Sequence, residues 1–96
     1  MQEMTPSSER TLSRLARARA LLPAAPRQNP AQGTLARHEE YLARNELALA
    51  LEELEGVGHA NACTPAFWRE LLAAAVSMDD AGAVTRIARR LEGMSA

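Results

Sequence analysis

Residues 34–55 read TLARHEEYLARNELALALEELE, and their phasing decides the fold class. At 100° per residue, Leu35, His38 and Leu42 fall on one face, with Tyr41 at its margin. Arg37, Glu40 and Arg44 point the other way. From Leu47 onward the apolar face is re-phased to Leu47, Ala50, Leu51 and Leu54. The change falls at Arg44-Asn45-Glu46. Asn tolerates the left-handed conformation that ends helices, and Glu suits the first turn of a new one. The stretch is therefore expected to form two helices joined by a tight turn, not one helix of about 22 residues.

The segments on either side are also helical. Gly56 and Gly58 are expected to stop the second of these helices. Thr64-Pro65 is a cap followed by a first-turn proline, and Phe67, Trp68, Leu71, Leu72, Ala75 and Met78 then share a broad face over about 65–78. Asp79 or Asp80 should cap a last helix with the stripe Val84, Ile87, Ala88 and Leu91, ended by Gly93. Upstream, a first helix should run from Thr5 or Ser7 to about Leu22, with Leu12, Leu15, Ala16, Ala18 and Leu22 on one side. Residues 23–33 (PAAPRQNPAQG) hold three Pro and one Gly and predict a linker. The expected fold is an all-α antiparallel bundle of about five helices, with αα-hairpins at 34–55 and 65–92 stacked in helical-repeat fashion. Residues 1–33 form an Arg-rich helix plus linker and 34–96 a helical core domain, within a single domain overall.

Composition agrees. Twenty of the 96 residues are Ala, and Val and Ile are few, which favours closely packed helices over a sheet. Every basic side chain is Arg, and the net charge of −1 gives no global attraction for nucleic acid or an anionic membrane. A lone cysteine, Cys63, excludes an internal disulfide and suits a reducing cytoplasm. No apolar run approaches the roughly 20 residues of a membrane span, so the expected location is cytoplasmic, without membrane contact.

No enzymatic constellation is present. His38-Glu39-Glu40-Tyr41-Leu42 begins like a metalloprotease helix, but Leu42 stands where the second His is needed. His59 and Cys63 are four apart, with no second pair to complete a metal site. There is no Gly-rich phosphate loop and no nucleophile elbow. The expectation is no catalytic residue, no cofactor and no metal. Arg10, Arg14 and Arg17, and again Arg86, Arg89 and Arg90, form basic faces that either contact phosphate or are simply solvated.

Charge is unevenly spread. Residues 1–33 carry five Arg against two Glu, a net of +3, whereas 34–63 carry six Glu against two Arg, a net of −4. Glu52, Glu53 and Glu55 lie close to Glu46 and to Glu39-Glu40 of the partner helix, at a cost of about a few tenths of a kcal/mol per like pair. They also sit toward a helix C-terminus, the unfavourable end of the dipole. Leu49 points away from the Leu47/Leu51/Leu54 stripe, among these glutamates. It either anchors a basic partner or packs against another helix while the glutamates only solubilise. The candidate partner-binding set is Glu39, Glu40, Tyr41, Glu46, Leu49, Glu52, Glu53 and Glu55.

Tyr41-Leu42-Ala43-Arg44-Asn45-Glu46-Leu47-Ala48-Leu49-Ala50-Leu51-Glu52-Glu53-Leu54 resembles the YLxxNExxLALExL stretch of small helical immunity proteins of the MafI type. Those proteins accompany bacterial polymorphic and contact-dependent toxins. The run Phe67 to Ala75 with Met78 is similar in kind and position, so the resemblance covers roughly 36–78. It implies a non-enzymatic protein that binds and neutralises a cognate toxin, often a nuclease, in the producer's cytoplasm. Nuclease clefts are basic because they hold phosphates, so an acidic patch is a sensible inhibitor. The alternative is a small helical adaptor or regulatory module, contacting nucleic acid through its Arg faces.

Overall fold

The computed structural model of the chain describes residues 6–95. They form five helices: α1 (Pro6–Ala20), α2 (Leu35–Ala43), α3 (Leu47–His59), α4 (Pro65–Ser77) and α5 (Ala81–Ser95). The fold is all-α, and the helices break where the phase of the 34–55 stretch changes. Asn45 sits in the left-handed region at φ 58°. Its N–H donates to Leu42 O (3.0 Å) and that of Glu46 to Tyr41 O (2.9 Å), the paired bonds of a Schellman turn. The second hairpin repeats the device. Asp79 has φ 57°, its N–H donates to Val76 O and that of Asp80 to Ala75 O. The Asp80 side chain then accepts from the Ala83 N–H (3.2 Å), capping α5.

Cross-links between helices give their directions. Thr34 meets Glu53 and His38 meets Ala50, so α2 runs antiparallel to α3. Thr11 meets Ser77 and Arg14 meets Glu70, so α1 runs antiparallel to α4. One hydrophobic cluster takes in Leu15 and Ala18 of α1, Ala50, Leu51 and Leu54 of α3, Phe67, Trp68 and Leu71 of α4, and Ile87 of α5. Phe67 and Trp68 meet edge to face, with ring centroids 5.0 Å apart.

The glycines behave differently from the expectation. Gly56 and Gly58 do not stop α3, which continues to His59, and Gly93 does not end α5, which continues to Ser95. Gly56 lies under the backbone carbonyl of Gln32, and Gly58 lies against the Phe67 ring, so close that a Cβ at either position would collide. The two glycines let the linker and α4 approach α3. The linker is correspondingly tied down. Asn61 exchanges two hydrogen bonds with the Arg27 backbone, and Asn29 O accepts from the N–H groups of Gln32 and Gly33.

Candidate functional site

The eight residues singled out in 39–55 divide once the hairpin packs. Thr34 is extended (φ −136°, ψ 153°) and caps α2 by accepting from the Arg37 N–H. Its own N–H is left facing α3, where it donates to Glu53 Oε1 at 3.1 Å. Arg37 Nη1 approaches the same oxygen at 3.6 Å. Glu53 thus satisfies a helix start on the neighbouring element rather than facing solvent.

Glu55 is more deeply committed. It is buried, and its carboxylate accepts from Arg86 Nε at 3.2 Å and from Arg86 Nη2 at 3.0 Å. His59 Nε2 lies 3.7 Å away, one turn along α3. Next to this pair Arg90 stacks over the Trp68 ring, 4.3 Å from its centroid, and its Nη1 lies 3.0 Å from His59 Nδ1. The two links Glu55–Arg86 and His59–Arg90 share a sequence separation of 31, the spacing that brings successive hairpins into register. The Glu55 carboxylate holds the Arg86 guanidinium charged by its hydrogen bonds, against a smaller opposing effect of burial. The cleft at this pair, about 310 Å³, is lined by Gln32, Glu52, Glu55, Gly56, His59 and Arg86. Inside it the charges of Glu55 and Arg86 are already paired with one another, and no group of three or more His, Cys, Asp or Glu among the described residues could hold a metal ion.

The rest of the set stays toward solvent or the core margin. Tyr41 is half-buried against the hydrophobic cluster. Glu39 is exposed and pairs with Arg19 at 2.8 Å. Glu40, Glu46 and Glu52 are exposed and make no ion pair among the described residues. Leu49 is 40% exposed, so no described helix covers it. Glu46, the N-cap of α3, and Leu49 and Glu52 within it follow one another at three-residue steps, which places the apolar side chain between two carboxylates.

Burial separates the basic faces too. Arg86 and Arg90 turn back onto α3 and α4, and Arg14 pairs with Glu70 at 3.1 Å. Arg10, Arg17 and Arg89 are exposed without an ion pair among the described residues. His38 is buried, and its Nδ1–H donates to Ala50 O at 2.7 Å. Burial holds its imidazole below the ordinary value of 6.5, with Arg19 adding to the effect and the Ala50 hydrogen bond opposing it.

No described helix is long and apolar enough to cross a membrane. Comparison with protein-family models, with curated proteins and with solved structures finds no match.

Proposed function

We propose that the chain is a non-enzymatic immunity-type protein. It binds and neutralises a cognate bacterial toxin domain, a nuclease with a basic cleft, in the cytoplasm of the producing cell. The contact surface is the outer side of the α2–α3 hairpin, with Leu49 as the apolar anchor and Glu40, Glu46 and Glu52 as the charges. One observation carries the reading: Leu49 is 40% exposed between exposed Glu46 and Glu52, while Glu53 and Glu55 of the same helix are spent on internal partners. Exposed carboxylates that make no ion pair among the described residues, set around an apolar side chain, give steering and an anchor in one place. The resemblance of residues 41–54 to immunity proteins supports the same class.

The test is co-expression with any basic toxin-like domain that proves to be encoded beside this chain's gene, followed by co-purification and titration. Glu46→Lys with Glu52→Lys should abolish co-purification while far-UV circular dichroism stays unchanged. Retained binding, or a domain that never binds the wild-type chain, refutes the proposal.

A further inference from the structure

α1 and α4 leave a groove on the surface they share. It measures about 410 Å³, and its lining combines apolar Leu72 and Val76 with Arg10, Arg14 and Arg69. Val76 is 59% exposed, the most exposed large apolar side chain among the described residues. Arg10 and Arg69 are exposed with no ion pair among those residues, and Arg14 shares its charge with Glu70. Three guanidinium groups beside apolar side chains specify an occupant with the reverse pattern, an apolar side chain flanked by carboxylates. This chain carries that pattern at the start of α3, in its N-cap Glu46 and in Leu49 and Glu52.

The spacings agree. On each side a charge lies three residues, about 4.5 Å at 1.5 Å per residue, from an apolar side chain: Glu52 from Leu49 on α3, and Arg69 from Leu72 on α4. Leu49 and Val76 are both exposed and Leu49 does not line the groove, so a chain does not fill its own groove with its own Leu49. A net charge of −1 puts no large repulsion between copies.

We infer that the α1/α4 groove, bounded by Arg10, Arg14 and Arg69, receives the Glu46–Leu49–Glu52 face of a second copy, giving a head-to-tail, salt-sensitive self-association. A contact between two different faces leaves one of each free at the ends, so it propagates or closes into a ring. Its charges are solvated, so the association weakens as salt screens them. If the proposed toxin contact is also correct, a second copy and a toxin exclude one another, because both use Leu49. The self-association itself does not rest on that reading, and its assay contains no toxin.

The experiment is sedimentation velocity on the full chain over about a hundredfold range of concentration, at low salt and at about 1 M salt. The wild-type sedimentation coefficient should rise with concentration at low salt and lose that rise at high salt. Two double variants break one side each: Arg10→Glu with Arg69→Glu for the groove, and Leu49→Arg with Glu52→Arg for the face. These four side chains are exposed, and circular dichroism checks that both variants keep their helicity. Each variant alone should stay monomeric. An equimolar mixture should restore association, because it brings one intact groove together with one intact face. A wild-type coefficient independent of concentration, continued association of either variant alone, or a mixture of folded variants that stays monomeric would overturn the inference. So would wild-type chain that stays monomeric yet shifts a single-stranded oligonucleotide in a gel, with the shift lost in the groove variant. That result assigns the three arginines to phosphate.

Discussion

Replacing Glu55 by Ala should destabilise the fold by about 1–2 kcal/mol, and replacing Glu52 by Ala should change stability by less than about 0.5 kcal/mol. The two residues are three apart on one helix and had the same standing in the acidic cluster of the sequence. The Glu55 side chain is 11% exposed and accepts two N–H bonds from Arg86, whereas Glu52 is exposed. Removing one partner of a fully buried pair costs about 3–5 kcal/mol, and an exposed pair contributes about 0–1 kcal/mol. Arg86 is 48% exposed, so it can turn into water when the carboxylate is lost, which places the cost between these limits. For a domain of this size the loss lowers Tm by about 5–15 °C. The reverse deletion should be worse. Arg86→Ala leaves a buried carboxylate with only His59 nearby and should cost about 2–3 kcal/mol. Urea and thermal denaturation followed by circular dichroism measure all three variants on one scale. A Glu52→Ala cost equal to that of Glu55→Ala, or an Arg86→Ala cost below it, would refute the assignment of Glu55 as an internal residue.

Other outcomes follow from the same packing. Gly58→Ala and Gly93→Ala both gain helix propensity, yet the first should destabilise by about 1–3 kcal/mol, because its Cβ meets the Phe67 ring. The second meets nothing within 4 Å and should stabilise by about 0.5–1 kcal/mol. Equal signs in denaturation would contradict the packing of α3 on α4. Asn45→Val should cost at least about 1 kcal/mol, while Asn45→Gly should be close to neutral, since φ is 58° there. His38 has its folded pKa depressed below 6.5, so the unfolded chain binds more protons below that pH. Its contribution is present in full above about pH 6.5 and is lost as pH falls toward the folded pKa. His38→Gln should flatten that part of a stability–pH curve, and an unchanged slope would contradict a buried neutral imidazole.

The features that could be read from sequence are those determined locally. The phase change at Asn45 needs only a few residues on either side, and the left-handed turn it predicts is the one that forms. Leu49 on the far side of the stripe is likewise a matter of helix geometry, and the side chain stays exposed. What could not be read depends on partners brought in by packing. Glu53 finds the Thr34 amide 19 residues upstream, and Glu55 finds Arg86 31 residues downstream, so both drop out of a cluster that looked uniformly acidic. The repulsion expected among the glutamates is offset by these contacts. The glycines failed as stop signals because glycine serves two purposes that look alike in sequence, a left-handed helix end and a close approach of backbones. Here Asn45 and Asp79 take the first purpose, and Gly56 and Gly58 the second. The spacing of about 30 residues between hairpins was the one available hint that Glu55 would meet Arg86 and His59 would meet Arg90.

The proposed function stands or falls on whether the outer face of α3 binds a basic toxin domain. Isothermal titration of the chain with a basic toxin-like domain found encoded beside its gene tests this directly. The Arg10→Glu/Arg69→Glu variant, whose Leu49 face no second copy can cover, should bind that domain at least as tightly as wild-type chain. Leu49→Arg with Glu52→Lys should weaken binding by about 100-fold or more. Wild-type affinity in that variant, or no heat of binding from the wild-type chain, would contradict the account.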